Sequence, residues 1–440
     1  MVLKKVKRGI VGLLAASLMI SAAACGGGSK DTEETTAAAE ETTAAEETEA
    51  DAGQEETAAP AADSGETVTI SIAARGGSHV DAIESVKADF EAAHNCKIEV
   101  SGYEAADLKK NIMLDSTKPT GNFDLVMADD PWMPEFTEAQ IFLNLTEAGY
   151  EADSDLVQQC LDIGKVPYGE GDQYALPFSG NVMFLFYNKD LVSDVPTDWN
   201  AVLAAAEQVQ ADGNLGYVIR GQQGNPIVSD WLPIYWAMGG EVFDENWEAQ
   251  VNSEKGIAAL ELYIKLLETG ANYEKNDLVA AVSDGKAAMS LGWPSWYVSG
   301  SEASAAYAVI PGKVDADSET YPAGMIGNWM MGVTGNSGNQ ELAIELLNYL
   351  TSAESQKIMA DAGGVPTRES VLTDAELVEK YPHFPTLLEA TKASKVRPRH
   401  TNWSKAEEVL GAELSAAVSG VKTPEEALAA AAEAMNDVIK

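Results

Sequence analysis

The sequence predicts an α/β protein built on a doubly wound parallel sheet. Three observations predict it. Strand and helix patterns alternate from residue 67 to 128 in the rhythm of βαβ units. The chain has 440 residues, 45% of them hydrophobic, which suits two or three ordinary domains with sizeable cores. A long apolar run, "QYALPFSGNVMFLFYNKDL", is interrupted by Pro177 and Gly180, as a strand would be where the chain crosses between lobes.

The elements come in this order. "ETVTISIAAR" alternates β-branched and polar residues and ends as a strand at Ala74. Ser78 can cap the next helix, whose apolar face carries Val80, Ile83, Val86 and Phe90. "KIEVSGY" reads as a strand, "DLKKNIMLDS" as a helix and "FDLVMA" as a third strand. Parallel sheets bind ligands beyond the C-terminal ends of their strands, here "AARGGS" and "MADDPW". Past the broken run, "PTDWNAVLAAAEQVQ" is a helix with a Thr197 cap, and "GYVIR" is a strand. "SEKGIAALELYIKLLETG" is a capped helix stopped at Gly270, and "KAAMSLGW" and "YAVIPG" are strands. "NQELAIELLNYLTSAESQKIMADAGG" is helical, as is the capped C-terminus "TPEEALAAAAEAMNDVIK".

The N-terminus reads differently. A basic stretch, "MVLKKVKRG", precedes the apolar "IVGLLAASLMI", which is too short for a stable membrane helix, and then "SAAAC". This is a secretory signal over residues 1–25. "AAAC" resembles a lipobox with Ala22 in place of the usual Leu, which would make Cys25 a diacylated anchor. The same residues fit ordinary A-x-A cleavage. Residues 26–66 form a linker of Glu, Thr, Ala and Asp with no aromatic residue, unable to offset its ordering entropy. The net charge of −40 argues against nucleic acid and against an anionic lipid surface. Cys96 and Cys160 are expected to be unpaired buried residues.

Walker A, HExxH, GxSxG and paired CxxC motifs are absent from the sequence, and the four histidines stand far apart. Asp129 and Asp130 are adjacent, so in an extended chain they point to opposite sides and cannot form a proton-sharing dyad alone. Glycosidase chemistry on Asp130 would need a second carboxylate from elsewhere. Tryptophans stand beside turn and amide residues in "DDPW", "SDWLPIYW", "GWPSWY" and "IGNWM", a pairing of flat apolar rings with polar groups that suits sugars and polyols. Each such ring also has a reading as core packing. Arg75 is a ligand fork or an interlobe ion pair, and "VRPRHTNWS" places Arg397, Arg399 and Trp403 at the cleft or on the surface.

At these residues the chain resembles extracellular solute-binding proteins of family 1, the maltose-binding-like receptors of bacterial carbohydrate importers. The blocks that carry the resemblance are "TISIAARGG", "FDLVMADDPWMPEF", "YALPFSGNVMFLFYNKDL", "PTDWNAVLAAA", "GWPSW" and "NWMMGVTGNS…AIELLNYLTSAESQ", spanning 67 to about 420 in the expected order. The resemblance implies a two-lobed, class II periplasmic-binding-protein fold with a ligand cleft between lobes. It puts residues 67–180 and 313–363 in the first lobe, and 181–312 and 364–440 in the second. The crossings are expected near 178–181, 311–313 and 363–365. The implied ligand contacts are Arg75, Gly76, Asp129, Asp130 and Trp132, then Asn181, Trp231, Trp293, Ser295 and Trp296, then Asn328, Trp329 and Arg397. It further implies a monomeric, lipid-anchored receptor outside the cytoplasm that hands a sugar or polyol to an ABC permease, with no cofactor, metal or catalysis. A secreted glycosidase, or a polyamine receptor suggested by the acidic total, stands as the alternative.

Overall fold

The computed structural model describes residues 67–151, 153–296 and 305–440. The signal, Cys25 and the linker lie outside the described residues. The strands are β1 (Val68–Arg75), β2 (Cys96–Tyr103), β3 (Leu125–Asp129), β4 (Lys165–Val166), β5 (Asp172–Gln173), β6 (Leu176–Ser179) and β7 (Phe184–Asn188). They continue as β8 (Leu215–Ile219), β9 (Ala271–Asn272), β10 (Ala287–Gly292), β11 (Ala305–Ala308), β12 (Gly324–Met325), β13 (Trp329–Val333) and β14 (Ser394–Lys395).

Two five-stranded sheets organise the molecule, in orders β2-β1-β3-β13-β6 and β11-β7-β10-β8-β9. Each has a parallel part. β1 runs parallel to β2 in register from Val68↔Cys96 to Arg75↔Tyr103, and also parallel to β3. β8 runs parallel to β10 and β9. The other edge of each sheet is antiparallel: β13 against β3 and β6, and β7 against β10 and β11. The expected parallel rhythm holds for β1 to β3, and antiparallel strands extend each sheet. The strands at the changes of direction return from the other lobe or follow a crossing, so no βαβ unit constrains them.

Most expected helices form, but the long one expected from residue 339 is two, Gln340–Leu350 and Ala353–Asp361, divided where Ser352 caps the second. Ser78–His94 buries Ala82, Ile83, Val86 and Phe90. Its cap is Gly77, at φ +79°, without a side-chain bond, so the Ser78 cap is not made. Asp198 rather than Thr197 caps Trp199–Ala211, accepting from the Ala201 N–H at 2.8 Å. Ser253 caps Glu254–Glu268, and Thr423 makes a full capping box with Glu426. Cys96 and Cys160 are buried and unpaired.

Three short segments carry the chain between the sheets. The first is residues 180–183, close to the expected place. The second is 324–327 and the third 394–397, displaced from the expected 311–313 and 363–365. They lie side by side: the Met183 N–H donates to Met325 O at 2.9 Å, the Gly327 N–H to Asn181 O at 2.9 Å, and the Ile326 N–H to Lys395 O at 2.9 Å. β12 pairs parallel with β14. The lobe limits shift with them. Lys313 and Val314 hold the Trp199 and Asn200 amides of the second lobe, whereas Val365, Leu372, Phe384, Leu387 and Ala390 pack in the core of the first sheet. The C-terminal part of the second lobe's core begins only at Trp403.

Candidate functional site

The C-terminal ends of the parallel strands of both sheets face one cleft, a cavity of about 550 Å³. From the first sheet, β1 delivers Arg75 and Gly76, and β3 delivers Asp129. Trp329 opens β13 directly opposite Asp129. From the second sheet, β8 ends at Arg220, β9 leads to Lys275, and β10 leads to Trp293 and Trp296. Asn181, Gly327 and Arg397 come from the three crossing segments. Ala362 and Gly363 enter from the first lobe.

Eight of the expected contacts line this cavity: Arg75, Gly76, Asp129, Asn181, Trp293, Trp296, Trp329 and Arg397. Four others are placed elsewhere, and the side chain of Ser295 lies outside the described residues. Trp231 sits in Asn225–Ala237, whose residues 227–237 are all buried, and it stacks on Tyr235 at 4.8 Å between ring centroids. It is a fully buried core residue of the second lobe, set on the side of this helix away from the cavity that Asn225 lines. Trp132 is buried behind Trp329, edge-on at 5.7 Å, and also contacts Phe136. Trp132 thus backs the ring that faces the cavity instead of lining it. Asn328 is buried beside the Cys160 thiol, while its neighbours Gly327 and Trp329 line the cleft.

Asp130 is the fourth. It is fully buried and bonded to Arg397, with Arg399 at 3.6 Å from its other oxygen. Its backbone N–H donates to Asn328 O at 3.0 Å, and Arg399 donates to Ile163 O at 2.9 Å and to the Asp130 carbonyl. Burial pushes the Asp130 carboxyl up to about 7, with Arg397 opposing and Asp129 reinforcing the rise. Asp130 is a clamp between the third crossing and the first sheet. The expectation that the adjacent aspartates point to opposite sides is corrected: both carboxylates converge on one Arg397 nitrogen, Asp129 at the cleft wall and Asp130 buried, because β3 ends at Asp129 and Asp130 opens a 3-10 turn.

Arg397 joins the two. Its Nη2 donates to Asp129 Oδ1 at 2.8 Å and to Asp130, and Nη1 lies 3.9 Å from Glu407 Oε1. Burial works against its charge, but these carboxylates outweigh that and raise its pKa. Glu407, pushed up by burial, accepts from Asn225 Nδ2 at 2.9 Å.

Sequence reasoning missed Arg220, Lys275 and His79. Arg220 forms a buried two-point pair with Asp230, Nε at 3.2 Å and Nη2 at 2.9 Å from Oδ1, and lies 4.8 Å from the centre of the Trp296 ring. Lys275 lies 5.6 Å from that same ring centre. Arg220 repeats the signal that identified Arg75, an arginine closing a parallel strand before glycine, so "VIRG" could have been read like "AARGG". His79 is buried beside the Trp329 ring with neither ring nitrogen partnered, and burial followed by Arg75 lowers its pKa to about 4. Trp293 rests on Gly327, where an added Cβ would come within 2.4 Å of the indole.

Among the described residues no group of three or more His, Cys, Asp or Glu could hold a metal ion, and no helix is long and apolar enough to cross a membrane. The cavity offers flat rings, amides, guanidiniums, the Lys275 amine and two carboxylates, Asp81 and Asp129.

Residues 85–386 match the family model described as "Bacterial extracellular solute-binding protein". The "Probable amino-acid ABC transporter periplasmic-binding protein y4oP" of Sinorhizobium fredii is 25% identical over 80% of this chain and 84% of its own. The "Mannitol-binding protein" of Pseudomonas aeruginosa is 26% identical over 60% of this chain and 68% of its own. Two solved structures share the fold. Maltose-bound MalE3 of T. maritima has a TM-score of 0.74 at 23% identity, over 84% of this chain and 100% of that one. A ribitol-bound solute-binding protein of Agrobacterium radiobacter K84 has 0.73 at 21%, over 84% and 98%. The two-lobed architecture and the matched residues agree, and the chain belongs to the bacterial extracellular solute-binding proteins.

Proposed function

We propose that this protein is the receptor of a carbohydrate importer, binding a sugar or polyol between its lobes and presenting it to an ABC permease. The observation that carries this reading is the composition of the cleft wall. Trp293, Trp296 and Trp329 line one cavity with Asp129, Asn181 and Arg397. The rings offer faces to C–H groups, and the amide, carboxylate and guanidinium bond hydroxyls. The bound sugars and polyols of the two structural relatives, and the printed name of the mannitol-binding relative, support the ligand class.

The receptor does no chemistry in this reading. Asp129 is held by Arg397 and Asp130 is buried off the cavity wall, so these two aspartates do not present the pair of free carboxylates that glycoside hydrolysis uses. Cys25 would be lipidated, tethering the protein outside the cytoplasm through the acidic linker. Melting the protein against a panel of mono- and oligosaccharides and polyols tests the reading. A rise in Tm with at least one carbohydrate is expected, and by mass action a ligand at about a hundred times its Kd adds about 2.7 kcal/mol. A rise with amino acids or polyamines and none with any carbohydrate would overturn it.

A further inference from the structure

The cleft is electrically unlike the rest of the molecule. The chain carries a net charge of −40, yet Arg75, Arg220, Lys275 and Arg397 all line this one cavity. Their compensation differs. Arg397 has three carboxylates around it. Arg220 has one, Asp230, which engages Nε and Nη2 and leaves Nη1 outside the pair. Arg75 has Glu104, an exposed partner that contributes little once solvated. No carboxylate of the described residues lies within ion-pair distance of Lys275. Asp81, exposed on the cavity wall, pairs with none of them.

The excess is directed across the cleft. Arg75 ends the first sheet and Lys275 follows the second. Partial desolvation, then the Arg75 charge, lowers the Lys275 amine, with Arg220 adding to it and Glu104 opposing. Arg75 and Lys275 also act together on His79. Three helices begin at this wall, Ser78–His94, Asn225–Ala237 and Lys275–Ser283, and none has a side-chain cap. Their first N–H groups add positive potential. Two buried groups facing the cavity lack partners: both nitrogens of His79 and Oδ1 of Asn181.

We infer that the solute carries an anionic group, a carboxylate or a phosphate, on its polyhydroxy body, seated between Arg75 of one lobe and Lys275 of the other with Arg220 beside them. This rests on the receptor reading above and narrows it. Without an anion, the like charges of Arg75 and Lys275 oppose each other across the cleft. With an anion between them each interaction becomes attractive, so the charged group itself favours the lobes' approach. The tryptophans then serve the uncharged part of the ligand.

Isothermal titration with matched pairs tests this: glucose against glucuronate and against a glucose phosphate ester, sorbitol against gluconate, and inorganic phosphate alone. One charged member should bind at least about tenfold tighter than its neutral partner, which is about 1.4 kcal/mol. Whether the carboxylates or the phosphate ester lead identifies the anion. Added salt should shrink the preference. Lys275→Gln should remove most of the charged member's advantage over its neutral partner, and an advantage left intact in that variant would overturn the seat at Lys275. Neutral members binding as tightly as charged ones would overturn the inference and leave the receptor reading standing. Inorganic phosphate binding as well as its ester would overturn the polyhydroxy part. Silence from every carbohydrate, charged or neutral, would overturn both.

Discussion

Asp129 and Asp130 show how far one residue of register separates two roles. β3 ends at Asp129, which lines the cleft, and the 3-10 turn that follows carries Asp130 into a cage of two arginines. Asp130 is the carboxylate that pairs with the buried Arg399, so Asp130→Ala leaves that charge unpaired and is expected to cost about 3–5 kcal/mol of stability. Asp129→Ala should cost little stability and at least about tenfold in ligand affinity. Denaturant melts of both variants, with Kd values from titration, measure the two costs. His79 gives a second prediction. Its pKa is about 4 in the folded protein, against about 6.5 unfolded. The unfolded chain therefore binds the proton first, so this residue's contribution is whole above pH 6.5 and is lost as pH falls toward 4. The full span corresponds to about 3 kcal/mol. His79→Gln should flatten the wild-type fall in unfolding free energy between those pH values, and an unchanged slope would contradict the assignment.

At the scale of elements, the long periodic segments were legible and the hinge was not. β1 to β3 and their helices follow from alternation and from the 3.6-residue period, which need only local residues. The second and third crossings are made by β12 and β14, strands of two residues each, too short to carry any period. They are recognised only by what they pair with. The site divides the same way. Residues at the ends of strong strands, such as Arg75 and Asp129, could be placed from sequence. Trp231 could not, because a tryptophan in an apolar helix looks the same whether it meets a solute or a core. Lys275 follows a two-residue strand and gave no signal at all. The hinge also supports the site directly. At Gly327 an alanine methyl would press on the Trp293 ring at 2.4 Å. Gly327→Ala should therefore weaken ligand binding by about tenfold or more while the far-ultraviolet circular dichroism of both sheets is kept.

For the whole molecule, the two sheets are joined by three adjacent segments of chain, and one core cluster draws residues from both. The cleft is assembled from the C-terminal strand ends of both, so a solute that fills it touches both lobes at once. Such a ligand lowers the free energy of the closed arrangement by as much as its contacts differ between open and closed. Small-angle scattering with saturating ligand should show a smaller radius of gyration than without it. The most direct test of the central claim is titration calorimetry of the carbohydrate panel against the wild-type protein and Trp329→Ala. Saturable one-to-one binding of at least one sugar, polyol or their acidic derivatives is expected, weakened by about tenfold or more when the Trp329 ring is removed. Carbohydrate binding that Trp329→Ala leaves unchanged, or no carbohydrate binding beside clear binding of an amino acid, would contradict it.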